Sequence, residues 1–194
     1  MLGIGASQRR VQPFLHFMLF HIIGGGPSGK AAHMEIKTIA ILKPADEVNV
    51  IIGQAHFIKT VEDLYETLVQ AVPGIQFGLA FAEASGPCLI RHLGSDRNLE
   101  QAAIDATSAI AAGHVFVVML GNAFPVNVLN QIKAVSEVCT VFCASANPLR
   151  VVVAEESGGR GVIGVIDGSS PAGVEGEPEQ QERHAMLRRF GYKK

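Results

Sequence analysis

Two residues, His56 and Lys59, have types and a spacing that suit phosphoryl chemistry. They stand just before Thr60, which can act as a helix N-cap because apolar residues at helical spacing follow it. The start of a helix exposes unpaired N–H groups and a partial positive charge, so anions are favoured there. An imidazole at that point can act as a base or carry a phosphoryl group. The spacing predicts an anion pocket formed by His56, Lys59 and the helix N-terminus, with a surface lysine and a structural histidine as the alternative.

A second histidine, His114, opens the continuous apolar run 114–120. Such a run is typical of a strand that is buried on both faces. Strand ends beside helix ends are common sites in α/β proteins. His114 is therefore a second candidate site residue, although its spacing alone favours a hydrogen-bonded structural histidine.

A third group of polar residues lies near the C-terminus. Asn147 precedes Pro148 and is therefore held extended, so its amide can point into a cleft. Arg160, in a glycine-flanked turn, offers a planar fork to phosphate or carboxylate. Asp167 precedes Gly168, so it is either a ligand contact or part of a simple turn.

Composition and charge exclude several classes of protein. The chain has 194 residues, of which 48% are hydrophobic and 18% charged, so it can bury a core and is not intrinsically disordered. A net charge of −2, two Tyr and no Trp give no support for a nucleic-acid or membrane partner. Motifs of zinc and serine hydrolases do not occur.

The three cysteines, Cys88, Cys139 and Cys143, are an odd number without framework spacing. This indicates reduced thiols in a cytoplasmic protein. Cys139 and Cys143 lie in a β-like stretch, too far apart along a strand to share a zinc ion. We predict no metal site.

Residues 1–33 differ from the remainder of the chain. Gly24–Lys30 fits most of a Walker A loop, but the position of the magnesium-binding hydroxyl is Ala31. A β-like run, Ile36–Leu42, follows where the motif requires a helix. We expect residues 1–33 to be a disordered or artefactual extension and residues 34–194 to form the domain.

The elements that position these side chains follow from hydrophobic periodicity. Strands alternate with helices, and Ser157-Gly158-Gly159 marks a hairpin. The pattern predicts an α/β (α+β) fold: a single domain with a mixed β-sheet flanked by helices and a late β-hairpin. The predicted strands are 36–43, 48–52, 75–84, 88–93, 114–120, 138–143, 149–155 and 161–167, and the predicted helices follow Thr60 and Ser95 or Asp96 and cover 125–135 and 180–190.

At several motifs the sequence resembles the adenosine-specific kinase family. The resemblance runs in the family's order from about Met34 to the C-terminus and does not include residues 1–33. The motifs are G-Q-A-H-F-I-K-T-V-E-D-L from Gly53, F-G-L-A-F-A-E-A-S-G-P from Phe77, A-G-H-V-F from Ala112, A-S-A-N-P from Ala144, R-G-V-I-G-V-I-D-G from Arg160 and L-R-R-F-G-Y-K from Leu187.

The resemblance implies an α/β protein that assembles as a homo-oligomer, a trimer or hexamer, and binds adenosine or AMP. It also implies phosphoryl transfer linked to a phosphorylatable histidine, without deciding which one. We therefore expect a phosphotransferase acting on adenosine, with a non-catalytic adenosine or AMP sensor as the alternative. The phosphoryl donor stays open, with ATP and magnesium as candidates.

On this basis each candidate residue has an expected role. His56 would be the phosphoryl carrier, with Lys59 stabilising its charge and His114 as the competing carrier or the base. Arg160 would bind the phosphate. The residues expected to contact adenosine or AMP are Gln54, Asn147, Asp167 and Glu175.

Overall fold

The computed structural model describes residues 34–194. The Walker-like loop and the predicted extension over 1–33 lie outside the described residues. Within residues 34–194, none of the helices has the length and apolar character needed to cross a bilayer. The strands are β1 Glu35–Ile41, β2 Asn49–Ala55, β3 Phe77–Ala82, β4 Ile90–Gly94, β5 Val115–Leu120, β6 Val138–Ser145, β7 Leu149–Glu156 and β8 Gly159–Asp167; the helices are α1 Thr60–Ala71, α2 Arg97–Ile110, α3 Pro125–Ala134 and α4 Glu177–Arg189.

The strands form two sheets. One has five strands in the order β4-β3-β5-β2-β6, and the other has three in the order β1-β7-β8. The α+β fold, the flanking helices and the late hairpin β7–β8 are confirmed. The strands are divided between two sheets, and each pairing is antiparallel. β1 ends at Ile41, ahead of Pro44, which cannot donate to a ladder, and β1 pairs with β7 instead of β2.

The five-stranded sheet is covered on both faces. One face packs against α1 and α3 through buried side chains that include Leu64, Leu68 and Ile132. The other face packs against α2 and the three-stranded sheet. All six residues of β5 are buried, as the continuous apolar run predicts, because β5 lies between β3 and β2. Each large apolar side chain buried in this way contributes about 1.5–3 kcal/mol to folding.

Helix α1 begins differently from the prediction. Thr60 is its first residue, and Lys59 occupies the N-cap position without a side-chain cap. The Thr60 hydroxyl instead donates to the carbonyl oxygen of Phe57 at 2.5 Å. The prediction for α2 is confirmed at Asp96, whose Oδ1 accepts hydrogen bonds from the amides of Asn98 and Leu99.

The register of the five-stranded sheet defines two opposite ends. At one end β2 finishes at Ala55, β5 starts at Val115 and β6 starts at Val138; we call it the histidine end, after His56 and His114. At the other end β2 starts at Asn49 and β6 finishes at Ser145. We call it the asparagine end, after Asn49, Asn122 and Asn147.

Candidate functional site

The backbone segments that carry the two histidines are hydrogen-bonded to each other and to β6 at the histidine end. The Ala55 amide donates to the carbonyl of His114 at 3.0 Å, and the His56 amide donates to the carbonyl of Glu137 at 3.1 Å. The His56 side chain is exposed. The ring of His114 is half-buried and stacks on Phe81, with 5.9 Å between ring centroids and 4° between planes. Of the two imidazoles, His56 is therefore the more accessible to a ligand.

Lys59 is already paired with carboxylates. Its ammonium contacts the carboxylate of Asp63 and lies 2.5 Å from Oε1 of Glu137. The hydrogen bond that Lys59 donates to Asp63, and then the one it donates to Glu137, raises the pKa of Lys59; the hydrogen bond from Lys59 in turn lowers the pKa of Asp63. Glu62 and Asp63 also offset the positive end of α1. Lys59 is therefore compensated by neighbouring carboxylates instead of standing free, and the anion pocket stays a prediction.

Glu137 is an unusual member of this cluster. Its side chain is 5% exposed, so the carboxylate is removed from water. Oε1 is paired with Lys59, while Oε2 has no hydrogen-bond partner. A buried carboxylate oxygen without a partner is costly, which makes this a place where an arriving polar group gains a contact.

Arg160 and Gln54 also lie towards the histidine end. The Arg160 guanidinium donates to Oε2 of Glu155 at 2.5 Å and to the carbonyls of Ala109 and Ile110 at 3.3 and 3.4 Å. Arg160, and then Lys37, lower the pKa of Glu155 through hydrogen bonds. Arg160 therefore binds the last turn of α2, where positive charge is favoured, instead of presenting a free fork. Gln54 is exposed on β2.

Asn147 and Asp167 meet at the asparagine end. Oδ1 of Asp167 accepts hydrogen bonds from Ser145 Oγ at 2.6 Å and from Asn147 Nδ2 at 3.0 Å. Ser145 Oγ also accepts from the Asn147 amide at 3.0 Å. Gly168 has φ +62°, and a Cβ there would lie 3.0 Å from Asn147 Nδ2, so glycine suits this turn. These polar groups largely satisfy one another.

Glu175 is held by a local ion pair. Its two carboxylate oxygens accept from Nε and Nη2 of Arg183 at 3.1 and 2.7 Å. The hydrogen bond from Arg183 lowers the pKa of Glu175. Each carboxylate oxygen of Glu175 keeps a further acceptor position, so the contact of Glu175 with the ligand stays a prediction.

The predicted site residues lie at both ends of the five-stranded sheet. Arg160 and Asp167 lie near opposite ends of β8. Seven residues of extended chain at about 3.3 Å each separate them by roughly 23 Å. That distance exceeds the length of a nucleoside monophosphate. Within one chain the backbone therefore places Arg160 far from Asn147 and Asp167, and the contact of all three with one ligand stays a prediction.

Two cavities at these ends involve residues that sequence reasoning missed. The cavity at the histidine end, of about 480 Å³, includes Glu83 and Thr107. The cavity at the asparagine end, of about 330 Å³, includes Asn49, Phe124 and Tyr192. Asn49 directly before an apolar strand was a usable signal, but most of the other lining residues are alanines and glycines, which carry no chemical signature. Among residues 34–194, no group of three or more His, Cys, Asp or Glu side chains is arranged to hold a metal ion.

Comparison with known proteins identifies the family. The family model described as adenosine specific kinase matches residues 39–193. The crystal structure of the PH1918 protein from Pyrococcus horikoshii OT3 is similar, with 46% sequence identity and a TM-score of 0.80, and the match covers 84% of this chain and 99% of that one. A comparison with curated proteins found no match. The chain belongs to the adenosine specific kinase family.

Proposed function

We propose that the protein is a phosphotransferase that binds adenosine or AMP and moves a phosphoryl group to or from the 5′-hydroxyl of adenosine through a phosphohistidine at His56. Membership of the adenosine specific kinase family supports the substrate class. The observation that carries the choice of residue is the exposure of His56 beside a half-buried, stacked His114. An imidazole nitrogen must approach phosphorus in line, so the exposed ring is the better carrier.

The reaction proceeds in two balanced steps. In the first, a ring nitrogen of His56 bonds to the γ-phosphorus of a nucleoside triphosphate, and the bond from that phosphorus to the bridging oxygen breaks, releasing the diphosphate. In the second, the 5′-oxygen of adenosine bonds to phosphorus, the P–N bond breaks, and the hydroxyl proton passes to a base. We assign the role of base to His114, since the two histidines belong to neighbouring strand ends. Magnesium enters with the triphosphate as part of the substrate.

Lys59 stabilises the phosphoryl group on His56 by exchanging one of its hydrogen-bond partners. Its ammonium is shared between Asp63 and Glu137, and half of its surface is exposed. A phosphoryl group on His56 brings negative charge to the same place, and Lys59 can turn one donor from a carboxylate to a phosphoryl oxygen. Gln54, exposed on β2, is the proposed polar contact for the substrate beside His56.

The remaining predicted residues have other roles in this proposal. Asn147 and Asp167 fix the turn that follows β6 and stay outside the phosphoryl site, because they lie at the asparagine end. Arg160 anchors the cavity at the histidine end through α2 and Glu155. The homo-oligomeric state and the cytoplasmic location stay predictions from the sequence.

The test uses ATP labelled at the γ-phosphate. The protein is incubated with labelled ATP, separated from nucleotide, and then mixed with adenosine. We expect acid-labile label on the wild type and its transfer to AMP when adenosine is added. His56→Gln should give neither, because no ring nitrogen remains. His184→Gln, at an exposed histidine on α4, is the matched control and should give both.

A non-catalytic sensor of adenosine or AMP is the second candidate. The observation that favours it is the pairing of Lys59 with two carboxylates, which leaves less positive charge for a phosphoryl group. This function predicts adenosine binding with neither protein-bound label nor AMP formation. The experiment with labelled ATP therefore separates the two candidates.

A further inference from the structure

The three-stranded sheet β1-β7-β8 has one face that packs on the remainder of the fold and one face that does not. The packed face carries core side chains that include Ile41, Val151 and Val153. Because side chains alternate along a strand, the residues between these point away from the core. We call the side they form the outer face. It consists of Ile36, Thr38 and Ala40 on β1, Arg150, Val152, Ala154 and Glu156 on β7, and Gly161, Ile163, Gly164 and Ile166 on β8.

The outer face is apolar although it is exposed. Ile36, Ile163 and Ile166 are 60%, 58% and 48% exposed. The face of an antiparallel sheet that meets water ordinarily carries polar side chains. On this face the charged residues are Arg150 and Glu156, and the other positions are apolar residues, glycines and one threonine. Such a composition is typical of a surface that a protein partner covers.

The strand register gives the outer face a shape that suits a second sheet. Ile36 is paired with Ala154, and Ala154 is paired with Gly161 on the other side. Ile163 is the extra residue of a bulge beside Gly164. The isoleucines therefore project from a face whose neighbouring positions are small. The shallow depressions over the alanine and the glycines can receive the projecting side chains of a facing sheet.

The two charges on the outer face lie at opposite ends of β7, the central strand. Arg150 is near its first residue, and Glu156 is its last. Six residues separate them, or roughly 20 Å of extended chain. Neither belongs to an ion pair found within residues 34–194. A face with one positive and one negative end is complementary in charge to a copy of itself turned end for end.

We infer that the outer face packs against the outer face of a second copy of this chain. The two copies are related by a two-fold axis that lies between the sheets, perpendicular to the strands, at the level of Val153. This axis reverses the strand direction, so it places Arg150 of each copy opposite Glu156 of the other. A two-fold interface uses the same patch on both subunits, which is what a self-complementary face provides.

The two-fold axis also distinguishes the oligomers expected from the sequence. A trimer has no two-fold axis, whereas a hexamer built from two facing trimers has them. Disruption of this interface should therefore halve the mass of the assembly, whether that assembly is a dimer or a hexamer. The inference is independent of the proposed phosphoryl transfer, because neither His56 nor His114 lies on the outer face.

Sedimentation velocity of the full chain at micromolar concentrations tests the inference. Ile163→Glu puts a charge from each copy into the apolar part of the interface. We expect its association to be at least a hundredfold weaker, so that its mass is half that of the wild type. Val126→Glu, at an exposed apolar residue on α3, is the matched control and should keep the wild-type mass. Circular dichroism checks that both variants are folded.

A charge exchange tests the end-for-end arrangement without changing the apolar residues. Arg150→Glu and Glu156→Arg are substitutions of exposed residues, so both proteins should fold. Each alone places like charges opposite each other at both ends of the interface and should weaken association about tenfold at low salt. The double variant restores opposite charges and should associate within a few-fold of the wild type. These variants decide the question if Ile163→Glu does not fold.

The outcomes either support or overturn the interface. Half the wild-type mass in Ile163→Glu, together with recovery in the double charge variant, supports it. A wild type that is a monomer or a trimer overturns it, as does a folded Ile163→Glu that keeps the wild-type mass. Single charge variants that associate as the wild type does, or a double variant that does not recover, overturn the two-fold arrangement. Each of these results leaves the labelling experiment on His56 unaffected.

Discussion

The histidine end and the asparagine end of the five-stranded sheet differ in how their polar groups are satisfied. At the asparagine end, Ser145, Asn147 and Asp167 bond to one another. At the histidine end lie the buried unpartnered side-chain atoms found in residues 34–194, on Arg91, Thr107 and Glu137. The strained non-glycine turns lie there as well.

This difference separates a polar cluster whose groups are hydrogen-bonded to one another from one that contains unpartnered groups. A closed network stabilises a turn because each donor has its acceptor, and it offers little to a ligand. Unpartnered groups and strained turns lower stability and persist where function requires them. The histidine end therefore carries the proposed chemistry, and the asparagine end holds the chain together where β6, β7 and β8 meet.

The largest effect expected from this comparison is on protein-bound phosphate. His56→Gln should remove essentially all acid-labile label, whereas Asp167→Asn should retain the wild-type level, because Asp167 lies at the asparagine end. Filter binding of labelled protein at neutral pH measures both. Label that disappears in Asp167→Asn and persists in His56→Gln would reverse the assignment of the two ends.

The next largest expected difference is in the reactivity of two thiols, those of Cys143 and Cys88. Burial, with a smaller contribution from the charge of Asp167, raises the pKa of Cys143 to about 11, while Cys88 at the histidine end is exposed. At pH 8 the thiolate fraction of Cys143 is about a hundredfold below that of an ordinary thiol, so it should react with a disulfide reagent about a hundredfold more slowly. Timed labelling followed by peptide mass spectrometry checks this.

The same pKa has a consequence for stability. Because the folded protein keeps the Cys143 proton to a higher pH than the unfolded chain does, this contribution to stability is complete below about pH 9 and is lost as the pH rises through about 11. Cys143→Ala should reduce the fall in melting temperature over that interval. An unchanged pH profile in this variant would contradict the burial of the thiol.

Removing the acceptor of the asparagine-end network should affect stability alone. Asp167→Ala leaves Ser145 and Asn147 without their shared acceptor, and we expect a loss of about 1–3 kcal/mol in the free energy of unfolding. Denaturant titration measures the loss, and adenosine titration of the same folded protein should show unchanged affinity. A loss of affinity without a loss of stability would place the ligand at this end.

The smallest effect concerns the carboxylate that shares Lys59. Glu137→Gln removes a buried negative charge beside the proposed phosphohistidine and should raise the rate of protein labelling a few-fold, since Lys59 is then freer to bind phosphoryl oxygens. Glu62→Gln, in the first turn of the same helix, is the matched control and should change the rate less. A slower rate in Glu137→Gln would show that this carboxylate assists the transfer.

Local sequence patterns predicted the elements but not their partners. Leu64 and Leu68 on one face of α1, the apolar run of β5 and the turn at Gly158 are signals within a few residues of one another, and they predicted the helix, the buried strand and the hairpin. The division into two sheets depends on β1 pairing with β7. That choice involves distant parts of the chain and leaves no local signal.

The candidate site could likewise be predicted only where its residues are close together in sequence. His56 and Lys59 could be singled out because a helix follows them. The pairing of Lys59 with Glu137 joins residues far apart in sequence, and it changes a free cation into a compensated one. The cavity near His114 is formed by three turns that meet only in the folded chain, so no single motif indicates it.

The most direct test of this account is to locate the phosphate on the labelled protein. After incubation with ATP at neutral pH, electron-transfer fragmentation of the peptide that contains residues 54–59 should place an added phosphoryl group on the imidazole of His56, and adenosine should remove it. A phosphoryl group found on His114 instead, or an unmodified His56 in a protein that still converts adenosine to AMP, would contradict the account.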